Sequence, residues 1–255
     1  MNALREKLQG NEVVCGTQAF LGCPEILEIF GTTGFDFIFI CAEHPAYGIE
    51  RVSACVKACQ NAGTPALVRL PEYDVTFTKK ILDLGVDAVL FPMIRSVEDA
   101  NSAMQLCLYP PYGRRGFGPM SAVRWGMESE SEFVKNAPQQ LVRMIQIEHI
   151  EAVEQLGEIV KIPYIDAYIF GPNDLAASMG HINDMYHPEV QEQIYRSVKI
   201  LRENGKRFGV SLGSADMKKI AYWKSIGMNI FSVGADFAFL RDAALKLWTD
   251  LKKRM

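Results

Sequence analysis

Apolar and polar positions alternate in a regular cadence along the whole chain. Short, nearly unbroken apolar runs are separated by longer stretches with helical periodicity. Unbroken apolar runs of this kind are typical of strands that are buried on both faces, as in a parallel sheet. Eight such runs are predicted as strands: 13–17, 35–40, 66–69, 88–91, 141–148, 167–170, 207–211 and 230–233.

Glycines mark the ends of several predicted helices, immediately before the next apolar run. They are Gly34, Gly63, Gly85, Gly205 and Gly227. A repeated order of helix, glycine and apolar strand indicates βα units. Eight units predict an α/β fold of the (β/α)8 TIM-barrel type. The alternative is a doubly wound sheet, but the first strand is not followed by the Gly-x-Gly-x-x-Gly turn that usually marks its dinucleotide site.

Length and charge narrow the class of protein. The 255 residues suit one barrel domain that covers residues 1–255. The 27 basic and 30 acidic residues nearly balance, and the absence of a long basic run argues against a nucleic-acid partner. No apolar stretch is long enough to span a bilayer, and the N-terminal residues lack the apolar core of a signal peptide. We therefore expect a cytoplasmic protein without a membrane partner.

The cysteines do not have the spacing of a metal site. The chain has six cysteines: Cys15, Cys23, Cys41, Cys55, Cys59 and Cys107. Most of them lie in apolar surroundings. In a reducing compartment they would be free thiols. Only Cys41, at the end of the second predicted strand, lies where it could take part in chemistry, and it could equally be a small buried apolar residue.

Two carboxylates stand at the ends of neighbouring predicted strands. Glu148 closes the fifth run and Asp174 follows the sixth, one βα repeat later. In a barrel both would reach the rim at the carboxyl ends of the strands, where active sites of this fold lie. Paired carboxylates there suit a hard divalent cation, Mg²⁺ or Mn²⁺, with Co²⁺ as a further option. Taken singly, Asp174 could be a helix cap and Glu148 part of a surface salt bridge.

Other polar residues follow the same rim. Arg69 ends the third run, where a guanidinium needs an anionic partner, either a substrate oxyanion or a carboxylate such as Glu43. His44 could exchange a proton at neutral pH or make a structural hydrogen bond. The helix that begins after the sixth run could hold a small carboxylate. Together with a metal, these features indicate a small 2-oxo acid as substrate, and the lack of a lysine at these strand ends argues against Schiff-base chemistry.

Two further segments, a long insertion and the C-terminal helix, also carry structural predictions. The insertion 109–138, between the fourth and fifth strands, is predicted to be a lid on the active rim. Its Arg114, Arg115 and Arg124 could bind an anionic end of the substrate or form salt bridges. The segment 237–251 is apolar on most faces, so it should be buried either on its own barrel or on a neighbouring subunit. The second case favours a homo-oligomer.

Several of these motifs resemble those of the HpcH/HpaI aldolase family, and the resemblance covers nearly the whole chain. The motifs are Glu43-His44, Leu67-Val68-Arg69, Tyr109 to Gly116, Gln146-Ile147-Glu148, Phe170 to Leu175, His187 to Val190 and Gly234-Ala235-Asp236. The resemblance implies a class II, metal-dependent pyruvate aldolase that acts on 2-oxo-3-deoxy sugar acids or 4-hydroxy-2-oxoheptanedioate. It also implies a TIM barrel, commonly hexameric, whose last helix is exchanged between subunits.

The resemblance assigns a role to each candidate residue. It implies that Glu148 and Asp174 bind the metal, that Arg69 stabilises the pyruvate enolate, and that His44 is the base or positions the water that serves as one. The substrate would also contact Gln146, and its carboxylate would lie against the backbone at Gly171, Pro172 and Asn173.

One position departs from the family pattern. The family has an aspartate three residues before the histidine, and this chain has Cys41 there. The aspartate is thought to orient the histidine, and a thiol cannot supply the same charge-assisted hydrogen bond. We hypothesise that the metal and 2-oxo acid site persists while proton transfer is slower or rerouted. Glu43 and Asp236 are two further candidate site residues at the strand ends.

Three functions are compatible with these residues. The first is a carbon–carbon lyase that cleaves a 4-hydroxy-2-oxo acid to pyruvate and an aldehyde through a metal-bound pyruvate enolate. The second is a metal-dependent decarboxylase of an oxaloacetate-type acid, which needs Arg69 but no strong base. The third is a non-catalytic protein that binds 2-oxo acids. The sequence does not identify the aldehyde.

Overall fold

Eight parallel strands form a closed barrel in the computed structural model, which describes residues 2–10, 12–72 and 74–255. Neighbours in sequence pair with each other, and the eighth strand pairs with the first. The strands are β1 (Val14–Ala19), β2 (Phe37–Cys41), β3 (Ala66–Arg69), β4 (Ala88–Phe91), β5 (Val142–Ile147), β6 (Ala167–Phe170), β7 (Arg207–Leu212) and β8 (Ile230–Ala235). The predicted TIM barrel is therefore confirmed, and the predicted strand ends lie within two residues of the observed ones.

Helices lie before, between and after the strands, and the first of them packs Leu4 and Leu8 against the interior of the barrel. They are α1 (Ala3–Gln9), α2 (Pro24–Gly31), α3 (Ile49–Ala62), α4 (Val75–Asp83), α5 (Val97–Cys107), α6 (Glu130–Gln140), α7 (Ile150–Glu154), α8 (Leu156–Ile159), α9 (Pro172–Ser178), α10 (Pro188–Glu203), α11 (Met217–Ser225) and α12 (Asp236–Lys252). A short 3₁₀ helix, Ser121–Gly126, precedes α6. Gly63 shows how a glycine ends a helix of the barrel. It has φ +70° and caps α3 with its backbone N–H, just before β3 begins.

Alternation along each strand separates two apolar layers. One layer fills the barrel interior and includes Phe37, Phe39 and Cys41 of β2, which are all buried. The other lies between the strands and the helices. Because side chains two residues apart point to the same face, the inward positions of β3 and β5 end in Arg69 and Gln146. The top of the interior, at the carboxyl ends of the strands, is therefore polar.

The insertion predicted as a lid lies at the other end of the barrel. It follows α5 and precedes β5, so it connects a helix to a strand and belongs to the amino-terminal rim. Arg115 is buried there and pairs with Asp83, the last residue of α4, at 2.8 Å. Arg124 lies 3.9 Å from Glu128 within the insertion. The lid prediction is wrong for this chain because the apolar run before the insertion is a helix.

The terminal helix α12 leaves most of its apolar side chains uncovered. Near its start Phe237 and Phe239 pack edge-on against Phe20 and Phe30. Further along, apolar side chains are 44–63% exposed: Leu245, Leu247, Trp248 and Leu251. The alternative that α12 buries this face on its own barrel is therefore not observed. No helix among the described residues has the length and hydropathy needed to cross a membrane.

Candidate active site

Glu148 follows directly after β5 and is almost completely buried, with 3% of its surface exposed. The backbone N–H of Met93, in the loop after β4, donates a hydrogen bond to Glu148 Oε1 at 2.6 Å. The side-chain amide of Gln146 donates to Glu148 Oε2. The amide oxygen of Gln146 is also buried and has no hydrogen-bond partner in the structure. An acceptor left in this way, beside a carboxylate, points to a ligand.

The surroundings of Glu148 favour its protonated form. Burial raises its pKa to about 7 from the ordinary 4.5. The negative charges of Asp174 and Glu43 act in the same direction, whereas the Met93 hydrogen bond and the Arg69 charge lower the pKa. The structure thus places three carboxylates and one guanidinium in one electrostatic neighbourhood.

Gly171 allows the strands and the carboxylate to approach closely. A Cβ atom at this position would lie 2.7 Å from Gln146 Nε2 and 2.7 Å from Glu148 Oε2. Both distances are too short for a real side chain, so any residue but glycine would displace the Gln146–Glu148 pair. The glycine also precedes α9, whose first turn carries Asn173 and Asp174 with exposed side chains.

Arg69 ends β3 and is held by its neighbours from two sides. It pairs in register with Cys41 of β2, and its Nη2 donates to the Cys41 sulfur at 3.1 Å. Its Nε lies 3.0 Å from Glu43 Oε2. The guanidinium carbon lies 5.2 Å from the centre of the Phe39 ring, at the floor of the site. Of the two partners predicted for Arg69, the structure shows the carboxylate of Glu43.

His44 lies at the edge of the site and its side chain is 60% exposed. Its Nε2 is 3.7 Å from Glu43 Oε2. Burial raises the pKa of Glu43, while the charges of Arg69 and His44 lower it. Glu43 therefore interacts with both Arg69 and His44. The Cys41 thiol accepts a hydrogen bond from Arg69.

Asp236 plays a structural part away from these residues. Its buried carboxylate accepts hydrogen bonds from the backbone N–H groups of Phe20 and Leu21 at 3.0 and 2.9 Å. It also accepts one from the N–H of Phe237 at 2.8 Å. All of the observed hydrogen-bond partners of Asp236 are therefore backbone groups. Together these hydrogen bonds join the loop after β1 to the start of α12.

Some polar residues of the barrel interior were missed by sequence reasoning. Gln18 of β1 is 2% exposed and donates to Ser211 Oγ and to the backbone oxygen of Ser232, both at 3.0 Å. All three belong to the inward set at the upper end of their strands. The available signal was a glutamine directly after the first apolar run, which was predicted to end at residue 17 although β1 continues to Ala19. On the same rim, Met93 and Arg95 line a cavity of about 310 Å³.

The donor set suits a hard divalent cation. Glu148 and Asp174 offer carboxylate oxygens and Gln146 an unpartnered amide oxygen, with no nitrogen or sulfur donor required. A cation there would offset the mutual repulsion that helps to raise the pKa of Glu148. These residues therefore fit Mg²⁺ or Mn²⁺.

Comparison with known proteins agrees with this geometry. The family model described as HpcH/HpaI aldolase/citrate lyase matches residues 20–243. The chain belongs to this family. A hydroxypyruvate/pyruvate aldolase of Delftia acidovorans is 32% identical over 96% of this chain and 90% of its own length. A 2-keto-3-deoxy-L-rhamnonate aldolase of Escherichia coli is 31% identical over 95% of this chain and 90% of its own length.

Solved structures of the HpcH/HpaI family have the same fold. A crystal structure of an HpcH/HpaI aldolase from Desulfitobacterium hafniense superimposes with a TM-score of 0.91 at 30% identity, covering 99% of this chain and 97% of that one. A family protein from Burkholderia cenocepacia gives a TM-score of 0.92 at 28% identity, covering 99% and 100% of the two chains. The predicted family membership is thus confirmed.

The raised pKa of Glu148 predicts how metal binding by this HpcH/HpaI chain depends on pH. Without metal, Glu148 of the folded protein keeps its proton between about pH 4.5 and 7, whereas the unfolded chain releases it. The extra bound proton stabilises the folded state at low pH, and this stabilisation is lost as the pH rises through about 7. A cation needs the ionised form. We therefore expect the Mg²⁺- or Mn²⁺-induced rise in Tm to increase between about pH 6 and 8. Calorimetry of the Glu148→Gln variant should show the increase largely removed.

Proposed function

We propose that this protein is a metal-dependent aldolase that cleaves a 4-hydroxy-2-oxo acid to pyruvate and an aldehyde. The single observation that carries the proposal is the buried Glu148, which shares its surroundings with Asp174, Glu43 and Arg69 at the carboxyl ends of the strands. Two relatives of similar length are named as aldolases, one for hydroxypyruvate and pyruvate and one for a 2-keto-3-deoxy sugar acid. The cofactor would be Mg²⁺ or Mn²⁺, held by Glu148 and Asp174.

The substrate would bind between the carboxylates and Arg69. When bound, the divalent cation would polarise the 2-oxo group. Arg69 would donate hydrogen bonds to the oxygen on which negative charge develops, because its charge is fixed in place by Glu43 and by Cys41. The substrate carboxylate would lie against Gly171, Pro172 and Asn173. There the N–H groups of Asn173 and Asp174, in the first turn of α9, have no acceptor within the helix, whereas Pro172 has no N–H and the Gly171 N–H donates to Ile147 O.

The cleavage requires one proton to be removed and one to be added. A base would take the proton of the 4-hydroxyl group, the bond between carbons 3 and 4 would break, and its electron pair would form the enolate of pyruvate. A proton then adds to carbon 3 and completes the methyl group. His44, paired with Glu43 and open to solvent, is the group we assign to these transfers.

The proposal is tested by exchange of the pyruvate methyl protons in deuterated water, followed by NMR. This half-reaction needs no knowledge of the aldehyde. We expect exchange with Mg²⁺ or Mn²⁺ and none after removal of the metal with EDTA. Binding of pyruvate without exchange under either condition would exclude the aldolase.

Decarboxylation of an oxaloacetate-type acid is the second candidate, and one observation favours it. The Cys41 thiol contacts Arg69 rather than supporting His44, and His44 is 60% exposed, so the proton-transfer group is weakly held. Loss of CO₂ forms the same enolate without a strong base. Release of CO₂ from oxaloacetate together with absent methyl exchange would favour this function over the aldolase.

Replacement of Cys41 by aspartate is expected to raise the aldol rate several-fold. A carboxylate beside Arg69 would share the guanidinium with Glu43 and leave Glu43 freer to hold His44. The measurement is kcat for methyl exchange. Cys41→Ser, which adds no charge, is the control and should not show the rise. An unchanged or lower rate in Cys41→Asp would contradict our assignment of this position.

We further propose that the protein is a homo-oligomer, with a hexamer as the expected assembly, and that α12 packs on a neighbouring subunit. The exposed apolar side chains of α12 support this, since a monomer would leave them in water. The double variant Leu247→Glu/Trp248→Glu should shift the mass measured by light scattering towards the monomer. Lys246→Glu, also on α12, is the control and should keep the assembly.

We also propose a cytoplasmic location, the compartment in which free thiols persist. All six cysteines are unpaired in the structure, and four of them are buried. Such thiols remain reduced in the cytoplasm.

A further inference from the structure

A second cluster of metal-type side chains lies outside the proposed aldolase site. His181 and His187 belong to the connection between α9 and α10, and Glu189 lies in the first turn of α10. Among the described residues they are the group of three or more His, Cys, Asp or Glu side chains whose ligand atoms all lie within 4.8 Å of one another.

Each member of the cluster is already oriented by a neighbour. His181 Nε2 and Glu189 Oε2 share a hydrogen bond of 2.8 Å. His187 caps α10, and its Nδ1 accepts the backbone N–H of Glu189 at 3.4 Å. This second bond leaves the Nε2 atom of His187 available to a ligand. The two imidazole rings stack with centroids 3.5 Å apart and planes 14° apart.

We propose that His181, His187 and Glu189 form a binding site for a borderline transition metal of the Zn²⁺, Ni²⁺ or Cu²⁺ type. Two imidazole nitrogens and one carboxylate oxygen are the donors that such ions prefer, with water as the fourth ligand. The ion replaces the proton shared by His181 and Glu189, and His181 then carries its proton on Nδ1. The rings open from their stacked arrangement by side-chain rotation, for which the partly exposed His181 has room.

The donor types separate this site from the one at Glu148 and Asp174. That site offers oxygen donors and suits Mg²⁺, whereas the histidine site offers nitrogen and binds Mg²⁺ poorly. An ion at the histidine site would tie residues 180–187 to the first turn of α10. Because the same connection begins with α9, it would also restrain the helix that carries Asp174.

The chain contains a matched control. His149-Ile150-Glu151 repeats the His-x-Glu pattern, and His149 Nδ1 likewise accepts the N–H of the glutamate at 3.3 Å while capping α7. Among the described residues, no third His, Cys, Asp or Glu completes a group of ligand atoms at this second cap. It therefore tests whether a capping His-x-Glu pair alone binds the metal.

The experiment is a calorimetric titration of tag-free protein with Zn²⁺ while Mg²⁺ is present in large excess. We expect one Zn²⁺ per chain, with affinity reduced at least about a hundredfold in His181→Gln and in His187→Asn, and unchanged in His149→Asn. The asparagine retains an acceptor for the cap of α10, so loss of folding does not explain the result. Thermal unfolding without metal checks this for each variant.

Electron paramagnetic resonance of bound Cu²⁺ identifies the ligands. Two coupled nitrogens are expected in the unmodified protein and in His44→Gln, and fewer in His181→Gln. The proposal is overturned if Zn²⁺ does not bind beside excess Mg²⁺, or if its affinity and the nitrogen coupling are the same in His181→Gln and the unmodified protein. Neither result depends on whether the protein is an aldolase.

Discussion

Replacement of Glu148 by glutamine is expected to lower kcat/KM for pyruvate methyl exchange by more than about a hundredfold, since changes to outer-shell partners of a metal alone cost about 10- to 100-fold. Glutamine keeps an oxygen that can accept the Met93 N–H, so the fold of the rim should persist. It cannot provide the negative charge that a divalent cation requires. The measurement is the exchange rate as a function of Mn²⁺ concentration, with Mn²⁺ binding followed separately by titration.

Two further variants are compared with Glu148→Gln. Glu151→Gln changes an exposed acid on α7 in the same βα connection and should leave both the rate and Mn²⁺ binding unchanged. Asp174→Asn should reproduce the loss of metal affinity. Full Mn²⁺ binding and near-normal exchange in the Glu148→Gln variant would mean that the metal lies elsewhere.

Replacement of Arg69 by lysine should reduce kcat about a hundred- to a thousandfold, with little change in metal affinity. Lysine retains a positive charge beside Glu43 but cannot hold the planar, forked geometry that contacts both Glu43 and Cys41. The loss should appear in kcat more than in KM, because the interaction strengthens as the enolate forms. Steady-state kinetics of exchange separates the two constants.

Arg51→Lys, on the exposed face of α3, provides the control for the arginine-to-lysine change itself. The free energy of unfolding of Arg69→Lys should remain close to that of the unmodified protein, since the charge next to half-buried Glu43 is kept. A variant with normal kcat would assign Arg69 a purely structural role as the partner of Glu43.

The barrel was predictable because its signals are local. Each apolar run marks a strand, and a glycine such as Gly63 marks the end of a helix. Parallel strands bring their carboxyl ends to one rim, so the proximity of Glu148, Asp174 and Arg69 follows from the fold alone. The charge effects on the pKa of Glu148 agree with that expectation.

Other features depended on contacts that sequence patterns do not encode. Placement of the insertion required knowledge of whether a helix or a strand preceded it, and the run before Tyr109 has the apolar content of either. The partner of Cys41 depended on register, which sets it opposite Arg69. The buried polar group around Gln18 joins side chains from strands that are distant in sequence. Only the closed barrel brings these residues together.

The carboxylate of Asp236 has a consequence for synthesis of the chain. It joins the start of α12, directly after β8, to the loop after β1 through a hydrogen bond that spans 216 residues of sequence. The emerging polypeptide therefore carries β1 with one open edge until almost the entire barrel has left the ribosome. An exposed edge of this kind can pair with other chains. Slow translation near the end of the message would prolong that state, so the amount of correctly folded protein should depend on the speed at which the last βα unit is made.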